Sequence, residues 1–245
     1  MSGIAFSKIP RFRYCRPRFF VVILQATNII LMKSPKELKT LSVSEFSRAA
    51  DKYESDHAGV YNLCKKDYPD ILAEIEKEPF SDLLDAGCGT APMLSLLTTR
   101  YPNARFTGID LTPKMIEVAK AKNLPNTTLV CGDCEHLPFD AEAFDVIICS
   151  QSFHHYPNPQ AFLESVRRCL RKNGRLILRD MTMKNRLLHW FVNKIELPIL
   201  NWFGYGDVHC YNREELQELC DKTGLTLERF EQRKGLRLHA VIRKI

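Results

Sequence analysis

Residues 82–92, Asp-Leu-Leu-Asp-Ala-Gly-Cys-Gly-Thr-Ala-Pro, are the most informative segment of this 245-residue chain. The segment opens with a short apolar run, typical of a strand that is covered on both faces. It closes with Thr90 and Pro92, residue types that often begin a helix. Glycines between the two let the backbone turn tightly and approach a ligand at the carboxyl end of the strand. The segment therefore predicts a strand, a ligand-binding loop and a helix in succession.

Strands and helices alternate along the rest of the chain. Helices are expected over about 45–54, capped by Ser44, over 68–77, and from Pro92, Thr112, Asn158 and Asn212 onward. The helix that starts after Asn158 is expected to end with a left-handed cap at Asn173-Gly174. Further strands are expected at 105–110, 128–131, 144–150 and 175–180, followed by a hairpin of 225–231 and 236–243. This order predicts an α/β fold: a doubly wound, Rossmann-like sheet of seven strands, mostly parallel with an antiparallel C-terminal hairpin and helices on both faces.

Basic charge is concentrated at the N-terminus. The chain has a formal charge of +6, but residues 1–32 hold five of its basic residues and no acidic one. A nearly neutral remainder offers no electrostatic footprint for DNA or RNA, so no nucleic-acid partner is expected. Residues 1–32 form a basic and apolar leader, and residues 33–245 are expected to form a single domain. Three explanations of the leader stay open: translated sequence upstream of Met32, a membrane-surface anchor, or a disordered segment.

Cysteine usage indicates the compartment. Nine cysteines, an odd number, do not suggest a disulfide framework, and free cysteines are usual in a reducing compartment. We therefore expect a cytoplasmic protein. Cys131 and Cys134 form a lone CxxC with no second pair at zinc spacing, so no metal site is predicted.

Three aspartates follow the predicted strands and indicate the ligand. Asp110 ends the second strand, 23 residues after Gly87, where a carboxylate can accept hydrogen bonds from ribose hydroxyls. Asp85 precedes the glycine loop, where negative charge disfavours a pyrophosphate and suits an ammonium group. Asp133 follows the third strand, beside the expected adenine position. Pro92 stands where a dinucleotide fingerprint needs its third glycine. These residues favour a cofactor with adenine, ribose and an ammonium group but no phosphate.

Several motifs in this order resemble those of the class I S-adenosylmethionine-dependent methyltransferases, with small-molecule enzymes as the closest type. The matching motifs are Leu83–Thr90, Gly108-Ile-Asp110 with Met115, Gly132–Phe139, Phe144 to His155, and Leu170–Gly174. Ala91 departs from the pattern, because many members carry a third glycine there. The resemblance spans about 43–243.

The resemblance implies S-adenosylmethionine as cofactor and roles for particular residues. It implies that Gly87 and Gly89 line the methionine part, that Asp110 holds the ribose and that Asp133 meets the adenine amino group. Tyr53 is implied to contact the cofactor carboxylate. The implied cofactor site also includes Asp85, Cys88, Leu111, Cys134 and Ser150.

The acceptor side is less clearly marked. The resemblance places the loop after the fourth strand beside the transferred methyl group, and His154 or His155 there is a candidate general base. A packing or loop-orienting role is the favoured interpretation of both histidines. Residues 183–211 contain Trp190 and Trp202, and we predict that they form a lid over an acceptor that is partly apolar or aromatic.

Methyl transfer to a small molecule on oxygen, nitrogen or carbon is thus the predicted function. Alternatives are a methyltransferase-like binding subunit without turnover and a nicotinamide-dependent oxidoreductase, which Pro92 and Asp85 disfavour. A nucleic-acid methyltransferase is disfavoured by the neutral charge of 33–245. Membrane contact through residues 1–32 stays open.

Overall fold

A seven-stranded mixed sheet forms the centre of the molecule in the computed structural model, which describes residues 33–55 and 59–245. The strands are β1 (Asp82–Ala86), β2 (Arg105–Asp110), β3 (Thr127–Cys131), β4 (Phe144–Ser150), β5 (Leu170–Met181), β6 (Thr226–Arg233) and β7 (Arg237–Arg243). Their order across the sheet is β3-β2-β1-β4-β5-β7-β6. The five strands from β3 to β5 run parallel, and β7 is antiparallel to both β5 and β6. The predicted seven-stranded sheet with its C-terminal hairpin is confirmed. The expectations for residues 1–32 lie outside the described residues.

Helices cover both faces of the sheet, as predicted. They are α1 (Pro35–Ala49), α2 (Gly59–Lys65), α3 (Tyr68–Ile75), α4 (Pro92–Arg100), α5 (Pro113–Ala121), α6 (Pro159–Cys169), α7 (Arg186–Phe191), α8 (Leu197–Trp202) and α9 (Arg213–Thr223). Side chains of α3, α4 and α5 pack in one apolar cluster, and those of α6 and α9 pack in another. Because both faces are covered, all five residues of β1 are buried.

The first described helix starts ten residues earlier than predicted. It begins at Pro35 with Ser34 as its N-cap, and Ser44 lies inside it. The Ser34 hydroxyl accepts a hydrogen bond from the Glu37 backbone N–H (3.3 Å), and the Glu37 carboxylate accepts one from the Ser34 N–H (2.7 Å). This capping box, followed by proline, is a stronger start signal than Ser44 alone. The expected helix of 45–54 was therefore wrong at its start.

The predicted C-terminal cap at Asn173-Gly174 was also wrong. Helix α6 ends at Cys169, and Leu170 already has extended backbone angles (φ −70°, ψ 138°) and pairs with Phe144 of β4. Asn173 is left-handed (φ 64°), but it lies within β5, four residues beyond the helix. A Cβ on Gly174 would lie 2.9 Å from the Arg171 carbonyl oxygen, so the glycine is required by a close backbone approach rather than by a cap.

Residues 183–211 contain a helical run. Helix α7 continues through a π-helical turn at Val192–Glu196 into α8. Met183, Val192, Leu197 and Cys210 form a small apolar cluster under this run. Among the described residues, no helix is both long and apolar enough to cross a membrane.

Candidate cofactor and acceptor site

The order of strands changes direction at β1, which lies between β2 and β4. In open α/β sheets, ligands bind at such a switch point, outside the carboxyl ends of the strands. The loop after β1 is held there because the backbone N–H groups of Gly87 and Cys88 both donate to the Ile109 carbonyl, at 2.8 and 3.0 Å. Gly87 (φ 79°), Gly89 (φ 54°) and Ala91 (φ 62°) are all left-handed. Ala91, the departure from the family pattern, thus adopts a conformation that glycine would adopt without strain.

Asp110 fixes the position of this loop relative to β2. One carboxylate oxygen accepts a hydrogen bond from the Gly89 N–H (2.9 Å), and the other accepts one from the Thr112 N–H (2.8 Å). Desolvation raises the pKa of Asp110, and the two backbone N–H donors oppose that rise. Each oxygen keeps a lone pair that a bound ligand can use.

Two neighbouring cavities that share Gly87 flank the loop. The first is lined by Asp110, Leu111, Asp133, Cys134 and His155, among others. The lining of the second includes Tyr53, Asp85, Cys88, Gly89 and Ser150. The structure therefore brings all ten predicted cofactor residues to one of these two cavities.

Polar groups in the second cavity have unused hydrogen-bonding capacity. Asp85 is buried, and burial, with a smaller contribution from the charge of Asp110, raises its pKa to about 7. The Ser150 hydroxyl oxygen is buried and has no hydrogen-bond partner among the described residues. A buried carboxyl and a free hydroxyl beside a glycine loop fit a ligand that carries an ammonium group. The residues present therefore fit the amino-acid end of S-adenosylmethionine.

Lys39 of α1 lies in the first cavity, and the sequence reasoning missed it. Its ammonium group is 2.6 Å from an Asp133 carboxylate oxygen and also contacts the Glu135 carboxylate. Asp133, the predicted adenine partner, is thus already an ion-pair acceptor, and its other oxygen accepts the Glu135 N–H at 3.0 Å. Among the described residues that line the two cavities, Lys39 is the only lysine or arginine.

The two candidate histidines occupy different environments. His154 is buried, with Nδ1 2.6 Å from one Asp180 carboxylate oxygen while its backbone N–H donates to the other at 3.0 Å. Burial alone would lower the pKa of His154, but the Asp180 carboxylate outweighs burial and raises that pKa to about 9. These contacts tie His154 to Asp180 of β5, and its loop-orienting role stays a prediction.

His155 lies against the first cavity. Its Nδ1 is 3.2 Å from both the Gly206 carbonyl oxygen and an Asp207 carboxylate oxygen. Its ring packs edge-on against Phe46, with 5.2 Å between centroids. Burial and then the neighbouring charge of His154 lower the pKa of His155, so its ring is neutral at pH 7.

Several lining residues were not predicted because they come from elements outside the strand-end pattern. Lys39, Ser42 and Phe46 belong to α1, and the signal that could have found them is the capping box at Ser34. Asp180 sits near the carboxyl end of β5, at the same edge as Ser150, and could have been found from that position. Asp207 follows an irregular segment, and no sequence signal indicates it. Trp190 and Trp202 are not among the described residues that line the two cavities, so the lid stays a prediction.

Sequence comparisons show that this chain is similar to known methyltransferases. Residues 84–178 match the family described as methyltransferase domain. The chain is 38% identical over 112 residues to a phthiotriol/phenolphthiotriol dimycocerosates methyltransferase of Mycobacterium leprae, an alignment that covers 45% of this chain and 42% of that protein. It is 28% identical over 175 residues to a demethylmenaquinone methyltransferase of Thermotoga maritima, covering 68% of this chain and 75% of that protein. The chain thus spans less than half the length of the first of these relatives.

Solved structures show the same fold. A S-adenosylmethionine-dependent methyltransferase from Aquifex aeolicus superimposes with a TM-score of 0.62 at 18% identity, covering 83% of this chain and 99% of that one. Residues 84–178 thus match a methyltransferase domain, and the chain is similar in sequence and in fold to class I methyltransferases. This similarity implies S-adenosylmethionine as the cofactor.

Proposed function

We propose that this protein transfers the methyl group of S-adenosylmethionine to a small-molecule acceptor. The observation that carries the proposal is the set of acids Asp85, Asp110 and Asp133 around a left-handed glycine loop, with Lys39 as the one strongly basic lining residue. Such a site suits a cofactor with ribose, adenine and ammonium groups, and it disfavours the pyrophosphate of a dinucleotide.

In this proposal each part of the cofactor meets its own group of residues. Asp85 and the free Ser150 hydroxyl hold the ammonium end, with Tyr53 nearby. Asp110 accepts hydrogen bonds from the ribose, and Asp133 accepts one from the adenine amino group. The cofactor supplies an electrophilic methyl group, and the chain orients donor and acceptor for in-line displacement and excludes water. His155, neutral and beside the cavity, can accept a proton where the acceptor carries one.

The acceptor is proposed to be partly apolar. Two relatives are named for acceptors with large apolar parts, a phthiotriol dimycocerosate and a demethylmenaquinone. In this chain Phe46, Leu111 and Tyr156 contribute apolar surface to the first cavity. The segment 183–211 stays our predicted lid, because its end contacts His155 through Gly206 and Asp207. The eight described cysteines are free, which supports the cytoplasm as the compartment.

Calorimetric titration with S-adenosylmethionine, S-adenosylhomocysteine and NADH tests the cofactor part. We expect micromolar binding of the first two, no binding of NADH, and at least a tenfold (about 1.4 kcal/mol) weaker affinity in Asp110→Ala, because hydrogen bonds to a carboxylate are lost. Glu117→Ala, a change of an exposed carboxylate on α5, is the matched control and should bind as the wild type does. Binding of NADH alone would refute the proposal.

Turnover separates the enzyme from a silent binding subunit. The protein is incubated with methyl-labelled S-adenosylmethionine and with quinone, lipid and acyl-thioester acceptors, and transfer of label to the organic phase is counted. Transfer to one acceptor class that is lost in Asp110→Ala supports an enzyme. Tight cofactor binding without transfer to any acceptor class favours the binding subunit.

A further inference from the structure

A stripe of apolar side chains runs along the helical segment 186–203. Its members recur at every fourth position and are hereafter called the apolar stripe: the exposed Leu187, Phe191, Ile199 and Phe203, with the half-buried Ile195 between them. Leu187 and Phe203 are 79% and 76% exposed. Residues four apart lie on one side of a helix, and the π-helical turn at Val192–Glu196 lies midway along the stripe. Four of the five members are exposed, so the segment presents apolar side chains to solvent at both of its ends.

The opposite face of the same segment is already packed. Val192 and Leu197 are buried against Met183 and Cys210, and Leu200 packs on that cluster. The apolar stripe is therefore additional to the surface that holds the segment on the domain. Trp190 and Trp202, the two tryptophans of the chain, lie next to the stripe and are 49% and 71% exposed. Exposed apolar and aromatic side chains grouped in this way indicate an interaction site.

Unpaired cations surround a cavity beside the stripe. This cavity is lined by Lys184, Arg186 and Arg213, among others, with Glu214 as the one acidic residue among the described lining residues. All three basic residues are exposed, and none of them forms an ion pair with a described residue. Free cations around a cavity favour anionic groups such as phosphates.

We propose that this face docks on a lipid bilayer with anionic headgroups. The apolar stripe and its two tryptophans insert at the boundary between headgroups and acyl chains, where aromatic side chains are enriched. Lys184, Arg186 and Arg213 contact the lipid phosphates. An anionic bilayer surface matches both the exposed tryptophans and the unpaired cations, of which Arg186 directly precedes the stripe residue Leu187 in the chain. The docked segment leads directly to Gly206 and Asp207 at His155, so docking places the acceptor end of the site next to the membrane.

Flotation of the full chain with vesicles tests this proposal independently of methyl transfer. Vesicles of phosphatidylcholine alone are compared with vesicles in which about a third of the lipid is phosphatidylglycerol. We expect binding to the anionic vesicles, weaker binding at 0.5 M salt, and little binding to the neutral ones. The double variant Leu187→Ala/Phe203→Ala and the double variant Lys184→Glu/Arg186→Glu should each reduce the partition coefficient at least tenfold.

Matched controls use exposed residues elsewhere. Leu96→Ala removes an exposed leucine of α4, and Lys172→Glu reverses an exposed charge at the other end of the sheet. Both controls should bind vesicles as the wild type does, and all variants should keep the wild-type melting temperature. Equal vesicle binding by wild type and both double variants would overturn the proposal and assign any binding to another part of the chain. A dimer in analytical ultracentrifugation that the apolar double variant converts to a monomer, without vesicle binding by the wild type, would also overturn it in favour of a second copy.

Discussion

Asp85 is the residue at which stability and the proposed function conflict. It is buried beside Asp110, and none of the hydrogen-bond donors among the described residues pairs with its carboxylate. Burial raises its pKa to about 7, so its carboxyl is protonated more readily in the folded than in the unfolded chain. Between the unfolded value near 4 and about 7, the folded state therefore binds more protons, and stability falls as pH rises. Above about 7 the full cost of a buried charge is present.

Asp85→Asn removes this ionisation while keeping the side-chain shape. We expect the variant to melt roughly 5 °C above the wild type near pH 8, with the difference shrinking toward pH 4.5. Its affinity for S-adenosylmethionine should be about tenfold weaker near pH 8, because the carboxylate that faces the ammonium group is gone. Thermal unfolding and calorimetric titration at both pH values measure the two effects. If the variant were less stable near pH 8 and bound the cofactor as tightly as the wild type, Asp85 would have a structural role only.

At the scale of the element, the loop after β1 depends on Gly87 more than on Gly89. Both are left-handed, which costs an alanine about 1–2 kcal/mol. A Cβ on Gly87 would also overlap the Ser152 hydroxyl and lie 2.6 Å from the Ser152 Cβ, whereas the nearest atom to a Cβ on Gly89 is Tyr53 Cε1 at 3.8 Å. The two substitutions therefore separate steric overlap from backbone strain.

We expect Gly87→Ala to lower the melting temperature by roughly 8 °C and Gly89→Ala by roughly 4 °C. The double variant Gly87→Ala/Ser152→Gly should recover part of the loss, since the overlapping side chain is removed and only the strain remains. Circular dichroism during heating gives all three values. Equal losses in Gly87→Ala and in the double variant would show that Ser152 does not limit the space at Gly87.

Elements were predictable from sequence where a local signal and the sheet pattern agreed. Thr112 and Asn212 stand directly before α5 and α9, as the sequence predicted, and the strands of the hairpin β6–β7 begin and end within two residues of their predicted bounds. The predicted C-terminal cap failed because pairing between strands was stronger than the local helix signal. Leu170 could continue a helix, but it pairs with Phe144 instead, so the glycine four residues later is not a cap. Pairing partners are distant in sequence, and a local pattern does not contain them.

At the scale of the whole molecule, the sheet explains which site residues could be predicted. Four parallel strands end at or near the site residues Asp85, Asp110, Asp133 and Ser150. Because the carboxyl ends of parallel strands meet at one edge of the sheet, these residues come together there. Lys39 and Asp207 reach the same edge from a helix and from an irregular segment that the strand order does not place. The net charge of residues 33–245 was informative in another way, because it disfavoured nucleic acid before any site was known.

Ligand-linked stability tests the whole molecule at once. A ligand that binds only the folded state stabilises it by about 2.7 kcal/mol at a hundred times its Kd, which for a domain of this size raises the melting temperature by roughly 5–10 °C. We expect that rise with S-adenosylmethionine and with S-adenosylhomocysteine, because Asp85, Asp110 and Asp133 are brought together only by the folded sheet. Asp110→Ala should lose most of the rise at the same ligand concentration, and NADH should produce none in either protein. Scanning calorimetry measures the melting temperature. A higher melting temperature with NADH that is lost in Asp110→Ala would instead favour the nicotinamide-dependent oxidoreductase.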